Sequence, residues 1–281
     1  MLIHNIAELR LYVKERRREE KTIGVVPTMG FLHEGHLSLV RRAKAENDIV
    51  ILTIFVNPIQ FGPSEDFQSY PRDLEKDCKL AMEAGADLVF NPDVREMYPQ
   101  PTKTFVNVRD LTANLCGLSR PDHFQGVTTV VSKLFNITQG DKAYFGLKDA
   151  QQVAVITRMV KDLNFPIEIV PCPIVREEDG LAMSSRNVYL RPGERKSALL
   201  LSRSLFKAAE KIRAGENNAG NIIDSITADL TSDVNCQVDY VKVVDFATLT
   251  DLTALQGKVL VALAVKIGKT RLIDNIIVEV S

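Results

Sequence analysis

At 281 residues, 45% hydrophobic and 25% charged, the chain lies in the ordinary globular range and has length for one large domain or two modest ones. Lys and Arg total 35 against 36 for Asp and Glu, a formal charge of −1. That balance leaves no positive excess to neutralise nucleic acid or an acidic membrane surface, although a local basic pocket for one small anion remains compatible with it. The four cysteines (Cys78, Cys116, Cys172 and Cys236) contain no C-x-x-C pair, so reduced thiols in a cytoplasmic protein are expected rather than a zinc ribbon or a disulfide framework. Residues 5–21 are densely charged where a signal peptide would be apolar, and the apolar run 49–56 is too short to span a bilayer.

Arg16, Arg17 and Arg18, offset by Glu15, Glu19 and Glu20, read as the solvated face of a first helix. Residues 23–26 read as a short buried strand leading into a Pro-Thr-Met-Gly turn, and residues 36–46 follow with helical spacing. The strongest strand signal is 49–56, continuously apolar and stopped by Asn57-Pro58. A helix over 73–84 closed by Gly85, a strand at 88–90, a helix over 127–137 and a strand at 143–145 come next. A helix over 149–163 and a strand at 167–170 complete the first half. Repeated strand–helix–strand units with continuous apolar strands predict a doubly wound parallel sheet covered on both faces, an α/β fold of Rossmann-like type.

After Arg191-Pro192-Gly193 the pattern changes to a long amphipathic helix over 194–214 and a second over 219–230. Three strand-like stretches near 237–244, 258–266 and 271–279 follow, which predicts a smaller C-terminal α+β domain. The boundary is placed near residue 176, giving domains 1–176 and 177–281.

Four segments stand where chemistry is expected. In a doubly wound sheet the turn from the first strand into its helix is where ligands bind, and a helix N-terminus favours phosphate. Here that turn reads Pro27-Thr28-Met29-Gly30-Phe31-Leu32-His33-Glu34-Gly35-His36. Gly30 and Gly35 would allow close backbone approach to a nucleotide, and His33 and His36 add donors suited to a departing pyrophosphate. The same histidines could instead cap or pack the helix start. A zinc site is disfavoured, because H-E-G-H is one residue shorter than H-E-x-x-H and no further ligands lie nearby.

Asn57 and Gln60 follow the strongest strand and could hydrogen-bond a small polar substrate, or simply form a turn. Lys148 would set a charge beside phosphates, whereas Asp149 serves equally well as a helix cap. Met183-Ser184-Ser185-Arg186 offers two hydroxyls and a guanidinium near the domain boundary, where a loop can close over a crevice. Gly268-Lys269-Thr270 resembles the end of a P-loop, but Leu263 replaces the first glycine and the segment reads as a hairpin turn. Asp77 could neighbour Mg²⁺ and receives no assignment, and His123 has no reading from the residues alone.

Taken together, H-x-G-H and Met-Ser-Ser-Arg resemble the two signatures of the nucleotidylyltransferase superfamily. Within it the chain resembles the pantothenate synthetase family over nearly its whole length. The segments that carry this are 27–36, Phe-Val-Asn-Pro-Ile-Gln-Phe-Gly (55–62), Tyr-Pro-Arg (70–72), Lys-Asp-Ala-Gln-Gln (148–152) and Met-Ser-Ser-Arg-Asn (183–187). The resemblance implies a homodimeric ligase that joins pantoate to β-alanine through a pantoyl adenylate, with ATP and Mg²⁺. It implies ATP contacts from Met29, Gly30, Phe31, Leu32, His33, Glu34, Gly35 and His36. Gly146, Leu147, Lys148, Asp149, Val175, Met183, Ser184, Ser185 and Arg186 would complete the nucleotide site. Gln60 and Gln152, with Asn57, would hold the organic substrates; His36, His33, Lys148 and Arg186 would carry catalysis; the metal ligands stay unassigned. Two departures are Leu147, where a polar residue is expected, and Asp122 within the Arg-Pro-x-His-Phe stretch. Rival readings are another adenylyl- or cytidylyltransferase, for which the paired glutamines are unsuited, and a non-catalytic ATP-binding protein.

Overall fold

The structure is a computed structural model and describes residues 1–63 and 65–280. Its residues divide into two compact units: 1–108, 120–147 and 155–173 in the first, and 109–119, 148–154 and 174–281 in the second. The chain therefore passes between units several times, where the sequence suggested a single break near residue 176.

In the first unit, β1 (Leu2–Ile3) leads into α1 (Ile6–Arg18), whose N-cap Asn5 accepts hydrogen bonds from the Ala7 and Glu8 amides. β2 (Ile23–Thr28), α2 (Glu34–Glu46), β3 (Ile49–Ile54), α3 (Leu74–Glu83) and β4 (Leu88–Phe90) follow. After the single turn α4 (Val94–Met97) come α6 (His123–Thr138), β5 (Lys142–Gly146), α7 (Ala150–Asp162) and β6 (Glu168–Cys172); α5 (Leu115–Ser119) lies in the second unit. The six strands pair in parallel in the order β1-β4-β3-β2-β5-β6.

Alternating residues Val26, Val50, Leu52, Val89, Tyr144 and Val170 pack with Leu37, Val40 and Ala43 of α2 and Ala81 of α3. This burial on one face, with α1 packed beside α6 elsewhere in the unit, is what the continuous apolar strands required. Most element boundaries agree with the sequence reading to within a few residues. The exception is α6, which begins at His123 rather than 127, because Gly126 is tolerated inside the helix for a packing reason given below. β1 is too short to leave a periodic signal.

Two polar groups tie the end of α2 to β5. Glu46, at the end of α2, accepts from the Tyr144 hydroxyl at 2.9 Å and from Lys142 Nζ at 3.2 Å, and it pairs with Arg42. Hydrogen bonds from Arg42 and then Tyr144 hold its carboxyl down at about 2. Asn47 donates to the same Tyr144 hydroxyl at 2.7 Å, and Gly24 has no Cβ because one would meet Asn47 Nδ2 at 2.7 Å.

The second unit is built on the antiparallel sheet β7 (Cys236–Asp245), β8 (Gly257–Ile267) and β9 (Thr270–Val280). Val259, Val261, Leu263 and Val265 of β8 face α8 (Pro192–Arg213) and α9 (Ala219–Thr231), whose Leu201, Leu205, Ile222 and Ile226 share their cluster. The alternate residues Leu260 and Ala262 cluster with Leu115, Ala150 and Leu249. A sheet apolar on both faces needs two covers, which is why residues 109–119 and 148–154 belong with this unit. Gln151 ties them, donating to the Leu111 and Asn114 carbonyls and accepting from the Cys116 amide. The Gly268-Lys269 pair joins β8 to β9 as a two-residue hairpin turn, with Gly268 at φ +58°.

Arg176 is a polar lock within the unit. Its guanidinium binds both oxygens of Asp274, at 2.7 and 2.9 Å, and donates to the Gly180 carbonyl at 3.2 Å. Asp274 is 2% exposed, and burial pushes its carboxyl up against the lowering pull of Arg176.

R176A leaves a buried carboxylate without its cation and is expected to cost about 3 kcal/mol or more of stability, measured by denaturant unfolding. The depressed Glu46 carboxyl contributes stability that is complete above its unfolded value and is lost as pH falls toward about 2. Glu46→Gln should therefore flatten the fall of melting temperature below pH ~4.5, the ordinary range for Glu.

Candidate functional site

In the first unit the sheet's strand order reverses between β2 and β5: the chain runs outward through β3 and β4 on one side and to β6 on the other. The carboxyl ends of strands at such a point are where ligands bind in open α/β sheets. The turn 28–36, the 3-10 turn Pro58–Gln60 and Gly146 all lie at carboxyl ends of these strands.

The turn after β2 is shaped from within. Thr28 Oγ1 donates to the Thr53 carbonyl at 2.7 Å and accepts from the Gly30 amide at 3.2 Å. Gly30 sits at φ +83°, and a Cβ there would lie 2.9 Å from both Asp77 Oδ2 and Ile54 Cγ2. Phe31 follows at φ +52°, an unusual conformation for an aromatic residue. Asp77 holds it: its two carboxylate oxygens accept from the Phe31 and Leu32 amides, each at 2.7 Å. Asp77 is 1% exposed; burial pushes its carboxyl up while the two amides pull it back. Both oxygens are engaged in the turn, so Asp77 serves here as a clamp on the backbone.

His33 is the N-cap of α2, its Nδ1 accepting from the Gly35 amide at 3.2 Å. His36 reciprocates, its Nδ1 accepting from the His33 amide at 3.3 Å. The two rings lie 4.0 Å apart and tilted by 33°. A ring nitrogen that accepts from an amide carries no proton, so each neutral imidazole bears its hydrogen on Nε2. Capping and ligand binding are thus compatible in these residues: one nitrogen holds the helix and the other is a donor. Glu34, in the same first turn, pairs with Arg41 at the surface.

After β3, Asn57 and Gln60 are both buried, at 1% and 8% exposure. Asn57 Nδ2 donates to the Gly126 carbonyl at 3.1 Å and to Gln60 Oε1 at 3.0 Å, and its Oδ1 accepts from the Tyr98 hydroxyl at 2.8 Å. Gln60 Nε2 meets Met29 Sδ at 3.2 Å. The Gln60 carbonyl accepts from His123 Nδ1 at 3.0 Å, which gives His123 its place in the fold. Gly126 packs α6 directly onto this turn: a Cβ there would meet the Ile59 carbonyl at 2.4 Å and Gln60 Cα at 2.5 Å.

Gly146 ends β5 with open space where a side chain would stand, and Leu147 begins the 3-10 turn Leu147–Asp149. In the second unit Lys148 Nζ lies 3.6 Å from Asp149 Oδ2, and the Lys148 carbonyl accepts from Asn275 Nδ2. Gln152 lies in the first turn of α7. Val175 is bonded to the Met183 amide through its carbonyl at 3.0 Å, and Ser184 caps the short helical turn Ser185–Tyr189 by accepting from the Arg186 amide. Arg176, by gripping Asp274 and Gly180, fixes the base of this Met183–Arg186 loop.

The profile of the Pantoate-beta-alanine ligase family matches residues 1–277. The chain belongs to this family. It is 59% identical over 279 residues to the pantothenate synthetase of Acetivibrio thermocellus, covering 99% of each chain. It is 60% identical over 272 residues to that of a Thermoanaerobacter species, covering 97% of this chain and 96% of the relative. Among solved structures, the crystal structure of pantothenate synthetase from Thermus thermophilus has a TM-score of 0.93 at 46% identity, covering 98% of both chains. The crystal structure of pantoate-beta-alanine ligase from Francisella tularensis, complexed with beta-gamma ATP and beta-alanine, has a TM-score of 0.78 at 34% identity, covering 98% of this chain and 97% of that one.

For a member of the pantoate–β-alanine ligase family, sequence reading missed three residues that support these segments: Tyr98, Gly126 and Arg176. Gly126 did leave a signal, since a glycine within a helical stretch marks a close approach. Tyr98 and Arg176 left none, because their partners are 41 and 98 residues away in the chain.

Asp77→Asn keeps the size but offers one acceptor to two amides. It should cost about 1–3 kcal/mol of stability and weaken ATP binding by roughly tenfold, read by thermal melting and ATP titration calorimetry.

Proposed function

We infer that this protein ligates pantoate to β-alanine with ATP, releasing pantothenate, AMP and pyrophosphate. Family membership across residues 1–277 carries this reading. The paired Nε2 donors at the start of α2, beyond a carboxyl end of the parallel sheet, support it. The pantoate-beta-alanine ligase of Francisella tularensis, complexed with beta-gamma ATP and beta-alanine, supports the choice of substrates.

The pantoate carboxylate attacks the α-phosphorus of ATP, forming pantoyl adenylate as pyrophosphate leaves. The free amine of β-alanine then attacks the acyl carbon, AMP departs, and the amine loses its proton. No protein nucleophile is required; the chain positions the reactants and stabilises charge. Nε2–H of His33 and His36, the Lys148 ammonium and the Arg186 guanidinium are assigned to the phosphate oxygens. The backbone of Met29 to Gly35, with Gly146, Leu147, Asp149, Val175 and Met183 to Ser185, is assigned to the rest of ATP. Gln60 and Gln152 are assigned to pantoate, with Asn57 acting on Gln60. In this reading the parallel-sheet unit is the main substrate-binding part, and the C-terminal residues 177–281 serve to keep water from the mixed anhydride.

Mg²⁺ enters with ATP as part of the substrate. Among the described residues no group of three His, Cys, Asp or Glu side chains is gathered to hold a metal ion, and the assigned donors are N–H groups suited to phosphate oxygen. No helix among the described residues is long and apolar enough to cross a membrane. The proposed setting is the cytoplasm and the proposed assembly a homodimer, which light scattering on the purified protein tests.

With ATP, Mg²⁺ and pantoate alone, pyrophosphate release should stop near one per site, and continuous AMP formation should require β-alanine. ATP binding without turnover would point instead to another acid or to a sensor. His36→Asn preserves a cap acceptor but removes the Nε2 donor, and should lower kcat by roughly 10²–10³-fold with the fold intact.

A further inference from the structure

A side-chain amide can present either its oxygen or its NH₂ to a ligand, and the two choices are nearly isosteric. In this protein the choice at Gln60 is made elsewhere. The Gly126 carbonyl can only accept, so the Asn57 group 3.1 Å from it must be the NH₂. The second hydrogen of that NH₂ points to Gln60 at 3.0 Å, so Gln60 must turn its oxygen toward Asn57. The Asn57 oxygen, then an acceptor, is met by the Tyr98 hydroxyl at 2.8 Å. Each step fixes the next, and the result is that Gln60 directs its NH₂ away from the relay. There it meets Met29 Sδ at 3.2 Å, a weak acceptor that a substrate oxygen readily betters.

The relay's parts are rigidly seated. Asn57 is 1% exposed, and Gly126 lets α6 approach so closely that any Cβ would collide with the Ile59 carbonyl. Tyr98 follows α4, its amide bonded to the Val94 carbonyl at 2.7 Å, and its ring packs near Phe55 with a 6.1 Å centroid separation. A reversed Gln60 amide would oppose two NH₂ groups inside a buried site and leave donors unsatisfied there.

We propose that Asn57, oriented by the Gly126 carbonyl and seated by the Tyr98 hydroxyl, is a positioning residue that sets the polarity of the Gln60 amide, so that it offers N–H donors to an oxygen of the acid substrate. The inference rests on the assignment of pantoate to Gln60 made above. Both N–H groups of Asn57 are engaged within the relay, by the Gly126 carbonyl and Gln60, and its oxygen accepts from Tyr98.

The test is steady-state kinetics of Tyr98→Phe and Asn57→Asp, varying each substrate in turn, beside 15N-glutamine spectra of wild type and variants. Tyr98→Phe keeps the ring and removes only the hydroxyl. It should raise the KM for pantoate roughly five- to tenfold, with the KM for ATP and β-alanine and the melting temperature little changed. Asn57→Asp replaces the donor with an acceptor, drives Gln60 to reverse, and should raise the pantoate KM at least as far. The Gln60 side-chain NH₂ resonances should shift on adding pantoate to wild type and lose that response in Asn57→Asp. An unchanged pantoate KM in both variants would overturn the relay, as would parallel changes in all three KM values with a fall in melting temperature. Absence of pantoate turnover in wild type would instead strike the parent assignment, which keeps the two failures distinct.

Discussion

Asp77 is the constraint on which the turn after β2 in the first unit depends. One buried carboxylate accepts two consecutive amides from the turn after β2, and those amides belong to a backbone stretch with two adjacent positive φ angles. Without that clamp the Gly30–Phe31 conformation would have little to hold it, because Phe31 gains nothing locally from the left-handed region. The clamp precedes His33 at the N-cap position, where the Nδ1 atoms of the histidine pair hold the start of α2. A carboxylate used in this way is spent on shape. Its value to chemistry is indirect, through the amides and imidazoles it orients.

The same economy governs the neighbouring turn. Asn57 and Gln60 are amides whose orientation is undetermined by their own chemistry, and a main-chain carbonyl of α6 resolves it. Because main-chain carbonyls cannot exchange roles, they are dependable references for side chains that can. Gly126 is needed less for its flexibility than for its lack of a side chain, which brings that carbonyl within reach.

The second unit solves a different problem. Its three-stranded sheet is apolar on both faces, so it recruits segments from earlier in the chain to cover the face that α8 and α9 leave. Arg176 adds an ion pair to the buried Asp274 and itself bridges antiparallel to Ala182, next to the Met183–Arg186 segment. A buried pair of this kind adds little net stability compared with apolar packing, but it enforces one geometry.

The sequence by itself determined the elements and their class. Period-2 and period-3.6 apolar patterns, the Asn57-Pro58 stop and the glycines after helices each act through near neighbours, so they can be read without a fold. The candidate segments were legible for the same reason: H-E-G-H and Met-Ser-Ser-Arg are short and contiguous. Only the tertiary structure decided what each polar side chain does there. Asp77 had no assignment until its 45- and 46-residue reach to Leu32 and Phe31 was seen. His123 had no reading until its ring met the Gln60 carbonyl, 63 residues away. Residues 109–119 gave no sign of their unit, since the sheet they cover forms more than a hundred residues later. Hydrogen-bond partners and burial are set by distances across the fold, and one-dimensional periodicity carries no record of them.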